Sequence, residues 1–285
     1  MLDNKEIVVE LQDVYKEYRT LFSAMKVNAL NGLSLRIYRG ETFGLLGPNG
    51  SGKTTTIKII LGLLHIKSGK VSVFGFPPDN ADIKSKIGYM PEESYLPRYL
   101  SVEEVLYFYA GFFYRDKKII RNKVDELIEM VELGPHRHKK IKELSKGLAR
   151  RTTFAQAIIN NPELLILDEP TTGLDPLSSV TIKTIIKNLK ARGTTIIMCS
   201  HLLQDIEELA DRLLLLYEGK VLKEGTIYDF LALENRVQLT LLCKDKNSRD
   251  KIATLLKESG VDVLEIKQPL EKLEEFFYKT FAKRQ

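Results

Sequence analysis

Gly47-Pro48-Asn49-Gly50-Ser51-Gly52-Lys53-Thr54 is the stretch whose reading decides the rest of the chain. It matches G-x-x-x-x-G-K-[ST], a loop that cradles phosphates between a strand and a helix. Its flanks have the required character. The β-prone run TFGLL at 42–46 leads in, and TTTIKIILGLL at 54–64 leads out with helical apolar periodicity. A triphosphate is polyanionic and needs converging donors without side chains in the way. Glycines let successive backbone N–H groups, from Gly47 through Asn49, Gly50, Ser51 and Gly52, curl around the β-phosphate. The helix start adds its positive end and free N–H groups. Lys53 is expected to reach the β- and γ-phosphates of ATP, the Thr54 hydroxyl to ligate Mg2+, and Thr55 to add a donor near the α-phosphate. A glycine-rich turn with a chance lysine does not account for loop, lysine, hydroxyl and flanking elements together.

Such a loop works with a carboxylate at the end of a neighbouring strand. LLILD at 164–168 is a continuous apolar run closed by an acid, the texture of a parallel strand buried on both faces. Asp168 is thus the candidate Mg2+ ligand. Glu169 points differently from its neighbour and is the candidate general base, or the group that orients the attacking water. TTIIMCS at 194–200 is a second such strand. Between the two, Asp175 caps and Pro176 opens a helix over 176–190, which makes a parallel αβ unit.

Shorter β-prone stretches occupy 6–14, 29–38 and 70–76, the last stopped by Pro77-Pro78. RLLLLYEGKVLKEG at 212–225 reads as a hairpin turning at Glu218-Gly219. From about 98 to 160 the texture is helical. One helix starts with Ser101 and Glu104 in capping-box spacing, and NKVDELIEMVELG at 122–134 forms another that closes at Gly134.

Composition narrows the class further. The 285 residues carry 43 basic and 38 acidic side chains, a net charge of +5, and are 44% hydrophobic. The excess is mild and diffuse, and the cluster His136-Arg137-His138-Lys139-Lys140 reads as a solvated loop, so no nucleic-acid partner is expected. Cys199 and Cys243 stand too far apart for a metal motif and do not make a disulfide framework. The opening MLDNKEIVVELQDVYK mixes acids and bases and is not read as a signal peptide. No apolar run approaches the roughly 18 residues of a membrane span. A membrane role is therefore expected to come through a partner protein.

Taken together, the motifs resemble those of the ATP-binding subunit of ABC transporters over about residues 6–230. Within that family the chain looks like the single-domain type that works with a separate membrane-spanning subunit, including multidrug, antibiotic and sodium exporters. The resemblance implies an α/β fold of the P-loop NTPase, ABC-ATPase type. Such a fold has a mixed sheet core, an N-terminal antiparallel β subdomain and a helical subdomain over about 98–160. The family's LSGGQ signature stands here as Leu144-Ser145-Lys146-Gly147-Leu148, with lysine for the first glycine and leucine for the glutamine. By resemblance, Ser145 and Gly147 touch the γ-phosphate of ATP held by a second, head-to-tail subunit, identical or different. The family glutamine after IGYMP is Glu92 here, which can ligate Mg2+ but cannot donate an amide hydrogen bond. Thr171–Asp175 resembles the loop that crosses the dimer interface. His201 resembles the histidine that contacts the γ-phosphate. Tyr18 resembles the aromatic that stacks on adenine, with Tyr15 as the competing choice. Tyr95, Leu96, Pro97 and Tyr99 are candidates for a groove that receives the permease.

The resemblance further implies an enzyme at the cytoplasmic face of the cell membrane, held there by a transmembrane permease and powering transport, with export as the expected direction. Two other readings compete: a soluble relative acting on nucleic acid or the ribosome, and a non-hydrolysing ATP-gated structural subunit. Residues 231–285 are expected to form a small α/β extension, with strands at 237–244 and 261–267 and helices at 248–259 and 269–283.

Overall fold

Apolar and polar residues alternate along Ile7–Arg19 (β1) and Lys26–Tyr38 (β2), so one face of each strand must be covered. The computed structural model describes residues 5–19, 26–232, 246–259 and 263. The further strands are Thr42–Leu46 (β3), Ser68–Val73 (β4), Ile87–Met90 (β5), Leu164–Asp168 (β6), Thr195–Cys199 (β7), Arg212–Tyr217 (β8) and Lys220–Thr226 (β9). The helices are Lys53–Ile60 (α1), Ala81–Lys84 (α2), Val102–Ala110 (α3), Lys117–Met130 (α4), Lys146–Ala157 (α5), Pro176–Ala191 (α6), Leu203–Leu209 (α7), Ile227–Leu231 (α8) and Lys246–Glu258 (α9).

Two sheets result. An antiparallel sheet runs β2-β1-β4, and a six-stranded sheet runs β5-β6-β7-β3-β8-β9, parallel except for β9. The larger sheet divides two cores with the period of two that strands impose. Leu164, Ile166, Ile197 and Cys199 face a core shared with β1, β2 and α1. Leu165, Leu167, Ile196 and Met198 face a core shared with α3, α4, α5 and α6. Both faces of β6 and β7 are buried, which is why their sequences are unbroken apolar runs.

Several boundaries depart from the sequence expectation for local reasons. β1 and β2 run well beyond 6–14 and 29–38. A bulge at Asp13 (φ 47°), whose N–H donates to Ser34 Oγ at 2.9 Å, shifts the register so that pairing continues to Arg19. The strand expected to 76 stops at Val73, where Phe74 and Gly75 take positive φ. α4 closes before Gly134. Glu132 adopts the left-handed conformation and Leu133 N–H returns to Ile128 O at 2.8 Å, a Schellman closure made without glycine. Other expectations hold: Asp175 caps α6 with Pro176 in its first turn, and the β8–β9 turn places Glu218 and Gly219 both at positive φ.

The chain divides into two compact units, Met1–Leu231 and Ala232–Gln285. In the second, α9 overlaps the expected helix 248–259. The stretches 237–244, 261–267 and 269–283 lie outside the described residues, apart from Val263. Among the described residues no helix is long and apolar enough to cross a membrane.

The start of the helical part rests on a reciprocal cap. Glu104 N–H donates to Ser101 Oγ at 3.2 Å and Ser101 N–H to Glu104 Oε2 at 2.7 Å. Ser101→Ala is expected to lower unfolding free energy by about 1 kcal/mol, measured by urea denaturation. An unchanged midpoint would contradict this role for the cap.

Candidate functional site

Sheet order brings the chemistry to one edge. β3, β7 and β6 are parallel neighbours, so the loop after β3, the residues after β7 and the end of β6 emerge side by side. The loop after β3 is held from within. Ser51 N–H donates to Pro48 O at 3.2 Å, and Gly219 N–H, from the β8–β9 turn, donates to Ser51 O at 3.0 Å. Two glycines are required by this packing. A Cβ on Gly47 would lie 2.2 Å from Leu216 O, and one on Gly52 (φ 111°) 2.8 Å from Ala29 O. Gly50 and Asn49 are exposed at the loop's outer side.

α1 starts at Lys53 with no side-chain cap and no acid in its first turn, unlike α3, α5 and α6, which are capped by Ser101, Ser145 and Asp175. Its first amides and its dipole remain available to an anion. Ser51 Oγ is buried without a hydrogen-bond partner, a second donor unsatisfied by the protein itself. Lys53 Nζ donates to Gly47 O at 2.6 Å and Pro48 O at 3.1 Å, which folds its ammonium over the loop.

The acids lie beside this loop. Asp168 is buried at the end of β6, in register with Cys199. Burial, then the negative charges of Glu92 and Glu169, push its carboxyl up to about 6 from an ordinary 3.8, against the pull of Arg150 and Lys53. Glu169 takes φ 53°, a costly conformation for a residue with a side chain. Three donors converge on it: His201 N–H on Oε1 at 3.0 Å, the His201 ring Nδ1 with Oε2 at 2.7 Å, and Thr172 Oγ1 on Oε2 at 2.8 Å. Glu169 and His201, 32 positions apart, thus form a direct pair. Glu92 is exposed, with its carbonyl held by Arg150 at 2.6 Å.

The aromatic alternatives separate in space. Tyr18 OH lies 3.4 Å from Thr55 Oγ1, beside the start of α1, with Lys16 Nζ 5.4 Å from its ring centre. The Tyr15 hydroxyl instead packs where a Cβ on Gly32 would be, at 2.9 Å. Ser145 and Gly147 are not brought to the loop. Ser145 caps α5 by accepting from Leu148 N–H at 3.3 Å, and a Cβ on Gly147 would lie 3.7 Å from Asp175 Oδ2. Among the described residues no hydrogen bond joins either one to Gly47–Thr55.

Sequence reasoning placed Thr172 in the interface loop without its bond to Glu169, and it missed Asp205 on Thr171 and Arg150. Asp205, buried on α7, accepts from the Thr171 hydroxyl and faces the buried Lys183 Nζ at 3.6 Å. Arg150 is buried in α5 and reaches both the 91–92 and the 168–169 backbone. The only signal for it was an arginine pair inside ARRTTFAQA, a helix without a clear polar face.

The donor set fits Mg2+. Among the described residues there is no cluster of three or more acids, histidines or cysteines of the kind that cages a metal unaided. Mg2+ takes one or two protein oxygens and fills its octahedron with water and substrate phosphate. Asp168, with its raised pKa, and Thr54, in the first turn of α1, supply that kind of partial shell.

The fold and site define a P-loop nucleotide triphosphatase. The model of the ABC transporter family matches residues 30–172. The uncharacterized ABC transporter ATP-binding protein all4389 of Nostoc sp. is 42% identical over 235 residues, which cover 81% of this chain and 70% of that protein. Nod factor export ATP-binding protein I of Burkholderia orbicola is 40% identical over 198 residues, covering 69% of this chain and 65% of its own. The dimeric post-hydrolysis structure of the ATP-binding cassette MJ0796, bound to ADP and Pi, superposes with a TM-score of 0.71. It is 28% identical and covers 77% of this chain and 98% of that one. The chain belongs to the ATP-binding proteins of the ABC transporter family, and it is an ATPase.

The raised pKa of Asp168 has a consequence for stability. Above about pH 6 the folded protein holds a buried carboxylate that it disfavours. Below about pH 4 the group is neutral in both folded and unfolded states and the penalty is gone. The cost at pH 8 is bounded by about 3 kcal/mol, since each tenfold change in proton affinity is worth about 1.4 kcal/mol. In EDTA, Asp168→Asn is expected to raise unfolding free energy at pH 8 by about 2 kcal/mol, with the difference closing toward pH 4. A variant no more stable than the parent at pH 8 would contradict the buried-charge argument.

Proposed function

We propose that this chain is the energy-transducing subunit of an exporter, working as a head-to-tail dimer on a separate transmembrane permease at the cytoplasmic side of the membrane. One observation carries the dimer. The loop at Gly47–Thr55 and the helix start at Ser145–Gly147 are two anion-binding features of one chain, and no hydrogen bond among the described residues connects them. A second copy, turned head to tail, supplies the missing half to each loop. The dimeric MJ0796 cassette supports this arrangement. Export is supported by the likeness to Nod factor export ATP-binding protein I, and the need for a permease by the lack of a membrane-crossing helix among the described residues.

ATP is the substrate. Tyr18 stacks on its adenine, and the amides of Gly47, Asn49, Gly50 and Gly52, the Ser51 hydroxyl and the amides of Lys53, Thr54 and Thr55 bind its phosphates. Ser145 and Gly147 of the other copy close over the γ-phosphate. The Ser145 hydroxyl accepts from its own helix and keeps its proton to donate. Thr54, Asp168 and Glu92 hold Mg2+, which when bound neutralises charge on the β- and γ-oxygens. Glu169 orients the attacking water and takes its proton. His201, paired with Glu169 at 2.7 Å, fixes that carboxylate and faces the γ-phosphate.

Glu169→Gln is expected to lower turnover by about 10²–10³-fold while leaving ATP binding intact, so that the variant accumulates as an ATP-bound dimer on size exclusion with light scattering. Normal hydrolysis in that variant would overturn the assignment of Glu169. Co-purification of the full chain from solubilised membranes with RNA, and with no integral membrane protein, would overturn the permease.

A further inference from the structure

We propose that Arg150 is a positioning residue of the ATPase site, one guanidinium that locks the Glu92 segment and the Asp168-Glu169 strand end into a common geometry without itself occupying any of their carboxylate oxygens. The proposal rests on the reading of those three acids given above.

The geometry is specific. Nη1 donates to Pro91 O at 2.5 Å and Glu92 O at 2.6 Å. Nη2 donates to Asp168 O at 2.6 Å and Glu169 O at 2.5 Å. Four carbonyls from two separate segments are thus spanned by one planar fork, which an ammonium cannot match. The same helix holds the first segment a second time, through Thr153 Oγ1 and Ser94 Oγ at 2.7 Å.

The acceptors are also unusual for a buried charge. Arg150 is 3% exposed, and among the described residues it makes no ion pair. Burial pulls its pKa down, while the charges of Asp168, Glu169 and Glu92 hold it up. The cation therefore balances three carboxylates through space without occupying any of their oxygens. Its neighbour Arg151 shows the ordinary alternative: it meets the Glu132 carboxylate at 3.1 Å and the Ser178 hydroxyl at 2.7 Å and simply ties α5 to its surroundings. An arginine that only held helices together would do the same. Arg150 instead adds a positive charge where Glu92 adds a negative one.

The test uses the full chain with Arg150→Gln and Arg150→Lys. The lysine variant keeps the buried charge and serves where the glutamine variant does not fold. Without nucleotide or metal, amide hydrogen exchange over 92–94 and 169–172 is expected to quicken by about 10-fold in both variants, with β1 and β2 unchanged. ATP affinity in EDTA should stay within about 2-fold of the parent's, because the phosphate loop is untouched. The Mg2+ concentration giving half-maximal turnover should rise, and kcat should fall, by about 10–100-fold each. In the Arg150→Gln background, Glu92→Gln should recover at least about 3-fold of kcat, because one unbalanced negative charge is gone.

Two results would overturn the proposal. One is parental exchange, Mg2+ requirement and kcat in both variants. The other is a loss of melting temperature and of ATP affinity in EDTA that matches the loss of kcat, with strict additivity toward Glu92→Gln. Failure of the underlying site is distinguishable. A Glu169→Gln variant that hydrolyses normally removes the site reading itself, whereas an inactive Glu169→Gln beside a neutral Arg150→Gln removes only the clamp.

Discussion

The parallel pairing of β6, β7 and β3 is the constraint on which the rest depends. Parallel strands end together at one edge, so three loops far apart in sequence are delivered to one place without any contact having to find its partner. β7 sits between the other two and carries Ser200-His201 at its end. That placement is why His201 meets Glu169 across 32 positions. The pairing in turn requires both sheet faces to be covered. The antiparallel sheet with α1 covers one face and the helical part the other, so the two cores and the site are consequences of the same strand order.

Charge is the second organising quantity. Burial, then the charges of Glu92 and Glu169 acting through space, raise the pKa of Asp168 at this edge. Two cations answer it in different ways. Lys53 folds its ammonium onto carbonyls of its own loop, and Arg150 lies beneath the acids, hydrogen-bonded only to backbone. Neither forms a carboxylate ion pair among the described residues, and the Glu169 carboxylate is held instead by His201 and Thr172. A protein selected for stability alone would neutralise such a cluster by direct pairing or remove it. Here the acids are left costly to hold without a cation, the condition in which a divalent metal binds well.

What the sequence made legible were features whose signal is local. The loop motif, the unbroken runs LLILD and TIIMC, the Ser101–Glu104 cap and the Asp175-Pro176 helix start each depend on residues within a few positions of one another. What it hid depended on distant partners or on backbone conformation without a marker residue. The bulge at Asp13 needs Ser34 from the next strand, and α4 closes at Glu132 because Leu133 returns to Ile128, a left-handed turn that composition assigns to glycine. Gly134 drew the boundary too far for that reason. Arg150 was hidden because carbonyl acceptors leave no trace in side-chain patterns: every residue can offer one. The histidine–glutamate pair was legible only as two separate expectations, since the distance between them is set by β7 and not by spacing.

α5 joins these levels. Its first residue is capped by Ser145, which uses the hydroxyl as an acceptor and leaves its proton unspent. One and a half turns on, Arg150 grips the backbone of both acid-bearing segments. A helix of 12 residues is stiff over that span, so the spacing between its exposed start and Arg150, about 7–8 Å along the axis, is fixed by geometry. The capped start of α5 is therefore rigidly connected to the edge that carries the acids. Displacement of one relative to the core must carry the Glu92 and Asp168 carbonyls with it or break four hydrogen bonds to a buried charge. The second outcome is the costlier, because it would leave that charge unsolvated.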